Sequence, residues 1–280
     1  MPYGINPNRK EFQGFCLVAF VDILGFSKEI KDNWEDSENN PFDRLKRFVR
    51  SVSSNVSKQI KGIRSEASRD TYYGCKIRTF SDSIIITYGF RDKPRKHNFL
   101  VGLFYVVYTV SFVWRTALRY GYTIRGGVEY GEMRWDDKTF AGPAFIDAYN
   151  IESKYAISSR VVFGKDLTKC ICEYLVNKQN TKRFERLTHR HLKEMIRPYL
   201  HLDCDKQIIL SPHSLYKRQR LSDKNKQIER LITMQNKCTT MDTILKYIPL
   251  LNILTSEEKK FSDEDIQVLK NKYDHATPTT

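Results

Sequence analysis

The chain has 280 residues, 40% hydrophobic and 12% aromatic, with 47 Lys and Arg against 33 Asp and Glu, a formal charge of +14. Those values exclude a wholly disordered chain, a collagen-like repeat and a small disulfide-stapled scaffold. The length suits one large domain, or one domain with a sizeable extension, and its core needs no staples.

Residues 1–14 are polar and carry no signal-peptide pattern. Residues 15–23 (FCLVAFVDI) are a continuous apolar run ending in one acid, the pattern of a strand buried on both faces. Gly25-Phe26-Ser27 breaks the run, and a polar segment with Trp34 follows. Pro41 opens an amphipathic helix to about residue 61, with Phe42, Leu45, Phe48, Val49, Val52 and Val56 on one face. Residues 72–80 and 83–90 read as two strands joined tightly at Ser81-Asp82. Pro94 and the charges around it make a loop, and a long apolar helix over residues 97–120 ends at Gly121. Its most apolar stretch, residues 99–114, is short of the roughly 20 residues a membrane helix needs, so it reads as a buried core or interface helix.

Residues 122–130 form a further strand containing Gly126-Gly127, and residues 131–135 read as the second arm of a hairpin. Gly142-Pro143 starts a helix to about residue 156, and residues 159–163 are a short strand. Strand, helix, strand, strand, helix, strand is the ferredoxin-like α+β pattern with an antiparallel sheet. Beyond it the patterns are mainly helical, over residues 165–176, 183–200, 222–236, 243–254 and 263–273, with Ser262 and Asp265 as a capping box. The tail beyond Tyr273 reads as disordered. The chain thus divides into a domain over residues 14–165 and a mainly helical, basic extension over residues 166–280.

Six cysteines, at 16, 75, 170, 172, 204 and 238, have no regular spacing, and Cys16 lies inside an apolar run. The expectation is reduced thiols and a cytoplasmic location. Positive charge concentrates in residues 176–237, for example at Lys182-Arg183, Lys217-Arg218-Gln219-Arg220 and Lys224-Asn225-Lys226. Such a surface attracts polyanions, or is simply the solvated face of helices. His189-Arg190-His191 and the run from His201 to Asp205 hold metal-ligand types without zinc-site spacing, and read as incidental.

Two acids stand out. Asp22 ends a strand buried on both faces, where a carboxylate is costly unless paired or metal-bound. Asp82 sits at a hairpin tip between two apolar strands, which a ferredoxin-like sheet places beside the first strand. Each alone also reads blandly, Asp22 as a helix cap and Asp82 as a turn residue.

Together they resemble something more specific. The segment from Phe20 to Ser27 (FVDILGFS) resembles the first metal-binding motif of class III nucleotide cyclases, F-x-D-I-x-G-F-[ST]. Phe80-Ser81-Asp82-Ser83 resembles the hairpin that supplies their second metal-binding Asp. The run from Arg125 to Glu132 resembles their R-x-G-[IV]-x-x-G strand, and that from Gly142 to Glu152 the helix after it. The helix motif G-P-A-x-x-x-A-Y-x-x-E is most like that of the pyrimidine cyclases of bacterial Pycsar antiphage defence, which make cyclic UMP or cyclic CMP.

The resemblance implies two divalent ions, Mn²⁺ or Mg²⁺, on Asp22, Asp82 and the Ile23 carbonyl, with phosphates on the amides of Leu24, Gly25, Phe26 and Ser27. It implies a head-to-tail homodimer with active sites at the interface, and a separate effector that responds to the product. Lys76 occupies the position of a base-reading Lys. Thr139 stands where purine cyclases carry an acid, and Ile146 and Asn150 where they carry an Asn and a transition-state Arg. Lys154, one turn beyond Asn150, or Arg125 is then the candidate for the missing positive charge. Lys76, Arg78 and Thr139 are donors suited to the two carbonyls of uracil, which favours UTP over CTP. The alternatives are a cytidylate cyclase, a catalytically silent module binding nucleotide or nucleic acid through the basic extension, and, less favoured, a purine cyclase. No membrane association is expected.

Overall fold

The computed structural model describes residues 11–37, 40–63, 72–90, 92–136, 138–176, 183–216, 221–236, 241–259 and 261–274. In chain order the elements are β1 (Phe12–Ile23), α1 (Phe26–Asn33), α2 (Pro41–Ile63), β2 (Tyr72–Phe80), β3 (Ser83–Phe90), α3 (Lys96–Arg119), β4 (Ile124–Trp135), β5 (Phe140–Ala141) and α4 (Pro143–Tyr155). There follow β6 (Val161–Phe163), α5 (Lys165–Leu175), α6 (Arg183–Ile196), β7 (Leu200–Leu202), β8 (Ile208–Leu210), α7 (Leu221–Asn236), α8 (Met241–Leu245), α9 (Ile248–Thr255) and α10 (Asp263–Asp274). The sheet order is β2-β3-β1-β4-β6-β8-β7, with β5 beside β4. Its first four strands are antiparallel throughout, the ferredoxin-like arrangement.

β1 lies in the middle of that sheet, which explains its unbroken apolar run. Leu17, Ala19, Val21 and Ile23 face the core shared with α2 and α3. Cys16, Val18 and Phe20 face a second cluster with Ala144 and Ala148 of α4. Asp22 therefore belongs to the α4 face, because alternate residues of a strand share a side.

Five expectations change, the first being that the helix expected over residues 183–200 ends at Ile196 and Leu200 begins a strand. Residues 131–135 are not a second hairpin arm: β4 runs unbroken to Trp135, paired with β1 as far as Phe12, and the second arm is β5. Gly131 simply continues β4, and a Cβ there would meet Ala144 of α4 at an ordinary 3.4 Å. The polar segment after Gly25 contains α1. The helix expected over residues 243–254 is two, because Pro249 opens α9. The stretch after residue 165 also holds β7 and β8, which extend the sheet beyond β6.

Leu200, Ile208, Leu215, Leu231, Leu250 and Leu269 lie in the same core as β1 and α3. Arg160 adds a polar link to that shared core. Arg160 Nη1 reaches Asp203 at 2.8 Å and Asp205 at 2.9 Å, and Arg160 Nη2 donates to the Tyr155 carbonyl at 2.6 Å. Those two acids are thus taken by an arginine, and among the described residues no group of three or more His, Cys, Asp or Glu could hold a metal. Ser262 and Asp265 cap α10 reciprocally, as expected. α3 is long and apolar enough to cross a membrane, but 72% of its most apolar window is buried inside the protein. Cys16, Cys170, Cys172 and Cys204 are free thiols. Lys182, Lys217-Arg218-Gln219-Arg220 and the chain beyond residue 274 lie outside the described residues.

Candidate active site

Asp22 is the penultimate residue of β1, opposite Ser83 on β3 and Arg125 on β4. Ser83 Oγ donates to Asp22 Oδ1 at 3.1 Å. The β2–β3 turn forms with Ser81 in the left-handed region, at φ 54°. It is stapled to β1 where the Ile23 amide donates to the Asp82 carbonyl at 3.3 Å. The β2–β3 turn that carries Asp82 thus sits beside the end of β1, close enough for the Asp82 charge to act on Asp22. Burial pushes the Asp22 carboxyl up to about 6, and the charges of Asp82 and Glu152 push the same way against Arg125 and the Ser83 hydroxyl.

Arg125 lies between two acids, its Nε 2.7 Å from Glu152 Oε1 and its Nη2 3.5 Å from Asp22 Oδ2. Glu152 reaches this place because α4 packs hard on β4: a Cβ on Gly127 would lie 2.1 Å from the Ala148 carbonyl oxygen. The role of Glu152 was missed from the sequence. Ala144, Ala148 and Glu152 recur every four residues, so the two small residues mark the close-packed stripe on which the acid lies.

Gly25, at φ 85°, turns the chain from β1 into α1. The first-turn amides of Phe26 and Ser27 have no intrahelical acceptor and can face an anion. The Leu24 amide is already taken by the Thr123 carbonyl at 3.0 Å. Gly25→Ala meets no steric obstacle but is forced to positive φ. It should lower unfolding free energy by about 1–2 kcal/mol in urea titration. An unchanged midpoint would mean that the loop relaxes without cost.

Lys76 and Arg78 stand on β2, on the same face as Asp22, and both donate to the Asp136 carbonyl, Lys76 at 3.4 Å. Arg78 also lies over the Phe140 ring, 5.6 Å from its centroid. Thr139 donates to the Asp136 carboxylate from its amide at 2.5 Å and from its hydroxyl at 3.3 Å. The three expected base-reading residues thus gather round one loop. An open groove of about 630 Å³ runs from Arg78 and Phe140 past Phe20, Phe80, Phe145 and Tyr149 to Ser83, the residue that donates to Asp22. Asn150 is half-buried and Lys154 exposed on α4, and neither hydrogen-bonds or ion-pairs with Asp22, Asp82 or Arg125.

Three carboxylates and one guanidinium leave this corner negatively charged. Two carboxylates are too few to cage an ion alone, which suits Mg²⁺ or Mn²⁺ completed by water and phosphate oxygens. The donor set therefore fits the divalent ions expected from the sequence.

No protein-family model matches the chain, and no curated protein does. Among solved structures it is similar to a class III adenylyl cyclase-like ATP-binding protein from Pseudomonas aeruginosa, with a TM-score of 0.41 and 11% sequence identity. The match covers 68% of this chain and 42% of that one, less than half of its length.

Proposed function

We propose that the protein is a nucleotide cyclase that converts UTP to 3′,5′-cyclic UMP and pyrophosphate. The observation that carries this is the Asp22–Asp82 pair, with its surplus negative charge, beside a groove lined by Ser83, which donates to Asp22, and by Arg78. Bound divalent ions would lower the pKa of the ribose 3′-hydroxyl and neutralise the triphosphate. Asp22, Asp82 and the Ile23 carbonyl would hold those ions, and the amides of Gly25, Phe26 and Ser27 would receive phosphate oxygens. Arg125 orients the phosphates for in-line attack, where positioning and charge do most of the catalysis. Lys76 and Arg78 already share a backbone carbonyl as acceptor, and the carbonyls of uracil would replace it. Asn150 and Lys154 serve the site of the partner in a head-to-tail homodimer. The resemblance to Pycsar cyclases extends the reading to antiphage signalling through a separate effector.

Mass spectrometry of products from ATP, GTP, CTP and UTP with Mn²⁺ tests this directly. Cyclic UMP should dominate. A cyclic CMP product would move the base choice to cytosine, and cyclic AMP above both would overturn the pyrimidine assignment. Arg78→Gln should lower kcat/KM for UTP by about 10–100-fold, as expected for a charged donor lost from a base carbonyl. An unchanged value would remove Arg78 from the base site.

A second reading is a silent nucleotide-binding module. The engagement of Arg125 by two acids, with Asn150 in place of a transition-state arginine, favours it. Nucleotide binding without product from any of the four substrates would establish it.

A further inference from the structure

We propose that Arg125 is the resident counter-cation of the Asp22–Asp82 site, and that Glu152 is the positioning residue that keeps Arg125 from holding Asp22 against an arriving divalent cation. The inference rests on the metal-dependent reading above and adds a residue to it.

The two acidic contacts of Arg125 are unequal. The one to Glu152 is 2.7 Å and the one to Asp22 is 3.5 Å. The short contact is ionic and not an aligned hydrogen bond, since Arg125 Nε and Glu152 Oε1 lack a partner of good hydrogen-bond geometry. Glu152 is fixed in place. Its side chain is 4% exposed, and its second oxygen, Oε2, accepts from Ser153 Oγ at 3.0 Å. The Gly127 contact holds its backbone against the sheet. Arg125 in turn is the cross-strand neighbour of Asp22, so a cation on Asp22 Oδ2 competes with Arg125 Nη2 for one oxygen.

The chemistry follows from that asymmetry. An arginine facing a lone carboxylate closes a bidentate pair, the strongest geometry available to it. Glu152 prevents this by anchoring the Nε edge. Only the long Nη2 limb has to let go when a cation arrives. The guanidinium then remains tethered beside the site, with its Nη edge free for a phosphate oxygen. Without Glu152 the full charge of Arg125 falls on Asp22, and the cation must displace a salt bridge.

The test is Mn²⁺ binding by electron paramagnetic resonance on the full chain without nucleotide. Wild type, Arg125→Gln, Glu152→Gln and the double variant form a cycle. Glu152→Gln should weaken Mn²⁺ about tenfold, and Arg125→Gln should tighten it. In the Arg125→Gln background, Glu152→Gln should have little effect, because its target is gone. An equal loss in both backgrounds would mean that Glu152 acts by its own charge, and would overturn the inference while leaving the metal site intact. No Mn²⁺ site in wild type would overturn the metal-dependent reading itself. Ser153→Ala keeps every charge and guards against misfolding of the Glu152 variant. It should weaken Mn²⁺ a few-fold only while Arg125 is present, and an identical loss without Arg125 would count against the mechanism.

Discussion

Asp82→Asn should remove cyclic nucleotide formation, by a factor on the order of 10³ or more, in a protein that still melts cooperatively. The fold uses the backbone carbonyl of Asp82, which accepts from Ile23, and asparagine keeps that carbonyl. Only the ionised oxygen is lost. Asp22→Asn should lose activity equally but change stability in the opposite sense to most core substitutions. The folded Asp22 carboxyl is raised from 3.8 to about 6. A group raised in the folded state contributes stability below its unfolded value, and that contribution is lost as pH rises through the folded one. At pH 7.5 without metal, ionised Asp22 therefore costs stability, about 1–3 kcal/mol at this partly solvated site. Asparagine removes that cost. Asp22→Asn should melt about 3–10 °C higher than wild type in EDTA at pH 7.5, with the gap closing as the pH falls below 6. The same shift requires Mn²⁺ affinity to fall below pH 6, because the ion must displace a proton. Persistent product in either variant would remove the carboxylates from the chemistry. A lower melting point for Asp22→Asn at pH 7.5 would mean that ionised Asp22 is net stabilising.

Gly127→Val should give the largest loss of stability. A Cβ at Gly127 would lie 2.1 Å from the Ala148 carbonyl oxygen, 2.8 Å from Ile151 Cβ and 2.9 Å from the Glu152 amide nitrogen. Two of these are backbone atoms and the third is a β-carbon, so no flexible side chain can yield. α4 must move away from β4, at about 3 kcal/mol or more. Thermal unfolding should fall by roughly 6–12 °C or more. Activity should fall further than stability explains, because the displaced helix carries Glu152 away from Arg125. Gly131→Ala is the control, since its Cβ would meet the Ala144 side chain at an ordinary 3.4 Å. Equal melting points for Gly127→Val and Gly131→Ala would refute this account of the helix–sheet contact.

The ferredoxin-like order was legible because β1, β3 and α3 are apolar runs bounded by glycine, proline or charge. Asp22 and Asp82 each have a bland explanation, cap and turn, and it is the motif around them that pairs them in the sequence. Glu152 was not legible, because one acid in a helix is ordinary and only its four-residue spacing from Ala144 and Ala148 marks it as buried. β7 and β8 were missed because three residues are too few for a period-two pattern. Leu200 was absorbed into the preceding helix, which in fact stops at Ile196 just before Pro198. Gly131 invites a turn reading because glycine is uncommon inside strands, yet here it pairs with Cys16 in the middle of β4.

The Arg160 clamp has a mechanical consequence. It grips the Tyr155 carbonyl at the end of α4 and the Asp203 and Asp205 carboxylates between β7 and β8. Glu152 lies three residues upstream of Tyr155, within one turn of the same helix. The β7–β8 turn and the last turn of the helix that carries Glu152 are thus held by one side chain. Arg160→Ala should therefore loosen the end of α4 and lower Mn²⁺ affinity without touching the metal ligands, and unchanged Mn²⁺ binding would mean that the clamp serves stability alone.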